Sequence, residues 1–167
     1  MFNKTMTSNC YIAEKEGGYR FAGTVMGNGA DGLPPAVQAS MLPYNANGYL
    51  LGATPSPVIA PKSAKLLWQD TDELVEQVAL VNGRVQVKMG RSRGNALIAV
   101  YDKADPNAED AKVLWSWHLW CTAVPQIIEF TVPKTGNKYI MMDRNLGATT
   151  TGPALGTTQG LHYQWGT

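Results

Sequence analysis

The chain has 167 residues and a formal net charge of +1, and charged residues make up only 16% of it. This length allows one domain with a real core, or one domain and part of a second. Because there is no basic excess, nucleic acid is not an expected partner. No apolar run approaches the about 18 residues of a membrane span, so no membrane insertion is expected.

The N-terminal part predicts two strands. "SNCYIAEK" alternates around Tyr11 and Ile12 and predicts the first strand. "EGGYRFAGTV" follows a Gly-Gly turn and predicts either a continuation of that strand or its hairpin partner. The start, "MFNKTMTSNC", lacks the apolar segment of a secretory signal, so either the protein is not exported by that route or the signal lies outside this sequence.

A long stretch of low charge follows and contains six prolines. Proline lacks the N–H that a sheet needs, so continuous sheet is not expected here. We predict a surface excursion with one short helix around residues 36–41. The prolines are Pro34, Pro35, Pro43, Pro55, Pro57 and Pro61.

The middle of the chain carries the clearest strand patterns. "AKLLWQD" predicts a strand with Leu66 and Trp68 on one face. "LVEQVALVNGRVQVKMG" places Asn82 and Gly83 between two alternating runs, which is the strongest short hairpin signal. On the second arm, the predicted inward residues are Val85, Val87 and Met89.

The next two strands complete a β-sandwich pattern. "NALIAVYD" and "VLWSWHLWCT" predict an antiparallel hairpin across the polar loop "KADPNAEDAK". About seven strands and no convincing long helix predict an all-β fold, an antiparallel sandwich of immunoglobulin-like or fimbrillin-like type. Two prolines and a Gly-Asn turn then mark a change of pattern. We therefore place a sandwich domain at residues 1–125 and a short C-terminal extension at residues 126–167.

The stretch "VLWSWHLW" contains three of the five tryptophans and one of the two histidines. On a strand its even-numbered and odd-numbered residues face opposite ways, and both faces carry large apolar groups. The main interpretation is a central core strand. Two alternatives stay open, namely an aromatic platform for sugar rings and a subunit interface. The candidate ligand or interface residues are Trp115, Trp117, His118 and Trp120.

Catalytic and metal signals are missing from the sequence. Ser116 and His118 share a face but lie roughly 7 Å apart along a strand, too far for a nucleophile–base hydrogen bond. There is no GxSxG elbow, CxxC or HExxH pattern, and the acidic loop of residues 102–110 lacks the order of an EF-hand. We predict no catalytic residue, no metal and no cofactor. Cys10 and Cys121 are predicted to form either a disulfide or two buried free thiols, and the sequence does not decide between them.

Three segments together resemble surface proteins of gut Bacteroidetes. They are "SNCYIAEKEGGYRF" with "GNG" shortly after, "GNALIAVYD" followed by "VLWSWHLW", and "MMDRNLGATTTG" followed by "GLHYQWG". Their order is similar to that of fimbrillin-like and pilus-tip-like proteins. In that group a β-sandwich is often followed by a domain of the Fibrobacter succinogenes major paralogous family, which has a C-type-lectin-like fold. The resemblance implies that residues 126–167 are the truncated start of such a domain, in which Tyr163, Gln164 and Trp165 are structural.

Within the "DRNLGA" segment, Asp143 and Arg144 are adjacent in the sequence. On a strand they would face opposite ways, so we predict that they do not pair. Asp143 is instead expected to accept backbone N–H bonds and fix the turn that follows.

These observations predict a non-catalytic adhesion or binding module on a cell surface or appendage, with a glycan or a protein as its ligand. The alternative is a structural subunit of a pilus or a phage virion, whose partners would be its neighbouring subunits. The expected location is extracellular or on the cell surface, or in the virion if the protein is phage-encoded.

Overall fold

The computed structural model describes residues 8–26, 58–152 and 156–162. These ranges contain nine strands and no helix. The strands are β1 (Cys10–Ala13), β2 (Gly17–Ala22), β3 (Ser63–Gln69), β4 (Val75–Val81), β5 (Arg84–Met89), β6 (Gly94–Tyr101), β7 (Val113–Cys121), β8 (Ile127–Thr131) and β9 (Lys138–Met142). The predicted helix at residues 36–41, five of the six prolines, and Tyr163, Gln164 and Trp165 lie outside the described ranges.

The first seven strands form two sheets that pack together as a β-sandwich. One sheet has the order β1-β7-β6-β3 and the other the order β2-β5-β4, while β8 and β9 form a separate two-stranded ribbon. All pairs are antiparallel except β1 with β7, which is parallel. The prediction of an all-β sandwich is confirmed.

The core lies between the two sheets and follows the period-two alternation of their strands. From the four-stranded sheet come Ile98, Trp117 and Leu119, which are almost fully buried. The Trp117 ring meets the Phe21 ring of the opposite sheet edge to face, with centroids 5.2 Å apart. The facing side chains of β5 are Val85, Val87 and Met89, as the alternation predicted.

The β4–β5 hairpin forms where the sequence predicted it. Asn82 and Gly83 occupy its turn, with φ angles of 49° and 72°. Two successive positive φ angles match the twist of the flanking strands, and this Asn-Gly pair adopts them at little steric cost. The predicted hairpin of β6 and β7 is also present, in antiparallel register.

Two local predictions are wrong. β1 and β2 form neither one continuous strand nor a hairpin pair, because the chain crosses from one sheet to the other and β2 pairs with β5. Leu66 and Trp68 do not share a face, because the register of β3 against β6 shifts between them. Leu66 therefore points into the core, while Trp68 stands on the outer face of the sheet.

The segment after β9 packs on the outer face of the four-stranded sheet. The indole Nε1 of Trp120 donates to the carbonyl oxygen of Ala148 at 3.0 Å. The Thr122 hydroxyl donates to the carbonyl oxygen of Thr149 at 3.3 Å. Ala148 is itself only 1% exposed, so this contact is closely packed. Within the described ranges, no helix has the length and apolar character that crossing a membrane requires.

Asp143 and Arg144 form a two-pronged ion pair, with N–O distances of 2.8 Å and 2.9 Å. The prediction that they do not pair is wrong, because both residues lie in the bend after β9 rather than on the strand. The Arg144 guanidinium holds the pKa of the Asp143 carboxyl below its ordinary value. Arg144 also donates to the Thr122 hydroxyl at 3.0 Å, which ties the bend to the end of β7.

Candidate functional site

The four residues predicted as ligand or interface contacts divide between the two faces of β7. Trp117 is fully buried between the sheets, and Trp120 is buried under the C-terminal segment. His118 is buried beside Trp120 on the outer face, and Trp115 is partly buried against the core. The rings of Trp117 and Trp120 therefore have no face open to a sugar. A ligand role for these four residues stays a prediction that would require the strand to be uncovered.

A chain of polar side chains runs across the outer face of the four-stranded sheet. The Cys10 thiol lies 3.2 Å from Nδ1 of His118, and Nε2 of His118 lies 2.9 Å from Oδ1 of Asn95. The Asn95 amide nitrogen donates to Oδ2 of Asp70 at 2.7 Å and to the carbonyl oxygen of Gly147 at 2.9 Å. These residues, Cys10, His118, Asn95 and Asp70, are called the polar relay below.

The hydrogen bonds of Asn95 decide the tautomer of His118. Both N–H groups of the Asn95 side chain already donate hydrogen bonds, so Oδ1 of Asn95 must accept one from Nε2–H of His118. The lone pair of Nδ1 then faces the sulfur, and the Cys10 thiol donates to it. A thiol, an imidazole and an amide are thus arranged in the order of a nucleophile, a base and an orienting group.

The charge state of the relay differs from that of a reactive centre. Burial raises the pKa of the Cys10 thiol to about 12. Burial also lowers the pKa of His118 to about 4, although the negative charge of Asp70 opposes this shift. At neutral pH both groups are therefore uncharged, whereas a cysteine nucleophile needs its thiolate.

The sequence carries no local signal for the pairing of Cys10 with His118, because the two residues are 108 positions apart. They meet because β1 lies parallel to β7 with Cys10 opposite His118. In the same register Cys121 lies opposite Ala13, three positions farther along. That offset is about 10 Å along a strand, beyond the reach of a disulfide. Both cysteines are accordingly free, and the Cys121 thiol donates to the Ser92 carbonyl oxygen at 3.2 Å.

The acidic loop between β6 and β7 uses its carboxylates to hold its own turns. Asp102 accepts the backbone N–H of Lys112, and Asp110 pairs with the Lys103 ammonium at 2.7 Å. Among the described residues, no group of three or more histidine, cysteine or acidic side chains is placed to hold a metal ion.

The β8–β9 ribbon is the most exposed apolar feature of the described chain, and all ten of its strand residues are exposed. One face carries only Ile128, Phe130, Tyr139 and Met141. The opposite face carries Ile127, Ile140 and Met142 beside an ion pair of 2.7 Å between Glu129 and Lys138. The exposed fraction reaches 75% for Ile127 and 72% for Ile140.

Each face of the ribbon presents an extended apolar surface. Taking about 200 Å² for a large side chain and the exposed fractions of its apolar residues, each face presents roughly 400 Å² of apolar surface. Each face alone is therefore as large as the largest apolar patch of a typical monomer, which is about 300–600 Å² and is often functional. The signal was in the sequence, since "IIEF" and "YIMM" place apolar residues on both faces of their strands.

Comparison of the chain with protein-family models, with curated proteins and with solved structures finds no match.

Proposed function

We propose that this protein is a non-catalytic binding module of a cell surface or appendage, and that it binds protein through the β8–β9 ribbon. The observation that carries the proposal is the exposure of apolar side chains on both faces of the ribbon. Apolar area of this extent is favourable to bury, and it marks interaction sites on soluble proteins.

The stability of the ribbon supports the same proposal. A two-stranded hairpin by itself is at best marginally stable in water, because it has no second layer on which to bury a face. The described strands of the sandwich supply no such layer here, since neither β8 nor β9 has a buried residue. A protein partner would supply it.

The chemistry of the polar relay supports a non-catalytic role. The relay has the order of a nucleophile and base, but its thiol and imidazole are neutral at physiological pH. Its hydrogen bonds hold β1, β7, β6 and the segment around Gly147 together, which supports a structural role.

The proposal can be tested by selecting peptides from a phage-displayed library on the immobilised full chain. We expect apolar, extended peptides that lose binding to the double variant Phe130→Lys/Tyr139→Lys. The matched control is Val81→Lys/Val113→Lys, which changes two exposed apolar residues of the sandwich and should leave binding unchanged. A selection that yields no peptide, or peptides that bind both double variants equally well, would overturn the proposal.

Glycan binding is the second candidate, and the observation that favours it is Trp68. The bulge in β3 places this indole ring on the outer face of the sheet, where it is 45% exposed. An exposed indole can stack on a sugar ring, whereas the buried rings of β7 cannot. A glycan array probed with the wild type and with Trp68→Ala tests this candidate, and signals that survive the substitution count against it.

The structural-subunit alternative uses the same ribbon. A pilus or virion subunit would cover the ribbon with a neighbouring subunit, and the location would then be the appendage or the particle. Negative-stain images of the purified chain separate the two proposals, since filaments or rings would favour the subunit and dispersed particles the binding module.

A further inference from the structure

The two edges of the β8–β9 ribbon offer different backbone groups to a new strand. At one end of the ribbon the Asp143 N–H donates to the Gln126 carbonyl oxygen at 3.0 Å. At the other end the Val132 N–H donates to the Asn137 carbonyl oxygen at 2.9 Å. Hydrogen-bonded pairs alternate along an antiparallel ladder, so the residues between these ends divide into inward and outward groups. The backbone groups of Lys138, Ile140 and Met142 therefore point away from β8, towards the edge of β9 that no described strand pairs with. Those at the corresponding edge of β8 belong to Ile127, Glu129 and Thr131.

The edge of β8 is protected against pairing with a copy of itself. Pro125 and Pro133 stand two positions before and after the strand, and proline cannot donate to a ladder. Glu129 is its central residue, so an antiparallel pair of two β8 strands would put two carboxylates opposite each other.

The edge of β9 has neither protection. Its central residue is Ile140, and no proline lies between Lys138 and Met142. Its single charged residue, Lys138, is at the end of the strand and is already paired with Glu129. An antiparallel pair of two β9 strands would put no like charges opposite each other.

We propose that β9 pairs with β9 of a second copy of this chain, antiparallel and about a two-fold axis at Ile140. Ile140 would then lie opposite Ile140 of the second copy, and Lys138 opposite Met142 of the second copy. Each of these pairs exchanges two backbone hydrogen bonds, because their N–H and C=O groups point to the free edge. The inference rests on the proposed function, that the ribbon binds protein, and names a second copy as the partner at the β9 edge of the ribbon.

Three features favour a second copy as the occupant. The two ribbons would form one four-stranded sheet, which exceeds the three strands needed for independent stability. Pairing would also place the exposed apolar side chains of Tyr139, Ile140 and Met141 beside apolar side chains of the second copy, and burial of that area is favourable. The ion pair between Glu129 and Lys138 neutralises the charges of the two strands, and the chain has a net charge of only +1, so the repulsion between two copies is small.

The test measures the mass of the full chain by sedimentation velocity, from about 1 µM to about 1 mM. We expect a monomer–dimer equilibrium in the wild type. Ile140→Lys should raise the dimer Kd at least about tenfold, because it puts two ammonium groups opposite each other. The matched control is Ile127→Lys, which changes the same residue type on the same face at a similar exposure but at the other edge, and it should leave the Kd unchanged.

A cross-linking experiment places the two-fold axis. Opposed Cα atoms in a hydrogen-bonded pair lie about 5.5 Å apart, which a disulfide can bridge. Mild oxidation of Ile140→Cys should give a covalent dimer, while Ile127→Cys and the wild type should not. Tryptophan fluorescence of each variant verifies that it is folded.

The outcomes separate this inference from the proposed function. A wild type that stays monomeric up to about 1 mM overturns the inference, and peptide binding by that monomer leaves the proposed function standing. Equal effects of Ile127→Lys and Ile140→Lys overturn pairing through β9, as do species larger than a dimer. A dimer that forms the Ile140→Cys cross-link supports the inference even if no peptide is selected.

Discussion

Acid should destabilise this protein through His118. The folded pKa of His118 is about 4, against an ordinary value of 6.5, because burial disfavours the charged ring. Above pH 6.5 the ring is neutral in both the folded and the unfolded chain, and its titration costs nothing. As the pH falls below 6.5 the unfolded chain binds a proton that the folded chain does not, so the free energy of unfolding decreases until the pH reaches about 4.

The size of the effect follows from the two pKa values. They differ by about 2.5 units, and one unit corresponds to about 1.4 kcal/mol. The loss is therefore about 3 kcal/mol at pH 4, with about half of it reached near pH 5.3. That is a large share of the 5–15 kcal/mol that typically holds a domain folded.

The variant His118→Gln isolates this contribution. Its amide can still donate to Oδ1 of Asn95, but it does not titrate. Urea unfolding at several pH values, followed by tryptophan fluorescence, gives the free energy of unfolding of both proteins. We expect the difference between them to change by about 3 kcal/mol between pH 7 and pH 4, since contributions from carboxylates are common to both and cancel.

The control is His162→Gln, which makes the same substitution at the exposed histidine and reports the effect of the change of side chain alone. If His118→Gln shows the same pH dependence as the wild type, the ring is not held neutral in the folded state. The arrangement of the polar relay would then need revision.

Three further predictions concern stability and reactivity. Trp120→Phe should lower the free energy of unfolding in urea by about 1–2 kcal/mol more than Trp117→Phe, because the Trp120 indole donates a buried hydrogen bond while that of Trp117 has no partner among the described residues. Equal losses would contradict a stabilising hydrogen bond from Trp120. Gly90→Ala should lower the thermal midpoint far more than Gly18→Ala, because a Cβ at Gly90 meets a backbone carbonyl oxygen of the facing turn, whereas a Cβ at Gly18 meets nothing. Similar midpoints for the two variants would refute the tight packing at Gly90. Alkylation of Cys10 at pH 8, followed by mass spectrometry, should be about 1,000-fold slower in the folded than in the unfolded chain, because its pKa is raised from 9.0 to about 12; rapid modification would show an activated thiol.

The parts of the fold that depend on neighbouring residues could be predicted from the sequence. The turn at Asn82 and Gly83 is an example, because its two positive φ angles are a local property of that residue pair. The buried face of β5 is another, since alternation along one strand is enough to assign it. Both signals lie within a window of about ten residues.

The parts that depend on register could not be predicted in this way. A single bulge between Leu66 and Trp68 moves an indole ring from the predicted inner face to the outer face. The contact between Cys10 and His118 requires a parallel pairing between distant strands, and composition and periodicity contain no information on that register. The histidine and the thiol were each visible in the sequence, but their relation was not.

The sequence pattern changes after residue 125, but residues beyond that point still contribute to the stability of the sandwich. Asn95 and Trp120 are buried donors of the sandwich, and their acceptors are the carbonyl oxygens of Gly147 and Ala148. A buried donor that loses its acceptor costs about 1–3 kcal/mol, so the sandwich depends on the segment that follows the ribbon. The ribbon itself makes no comparable contribution, because all its strand residues are exposed. The chain therefore leaves the sandwich, extends an apolar ribbon into solvent and returns to cover the sandwich. Anchoring on both sides is what allows a marginally stable hairpin to present its apolar faces to a partner.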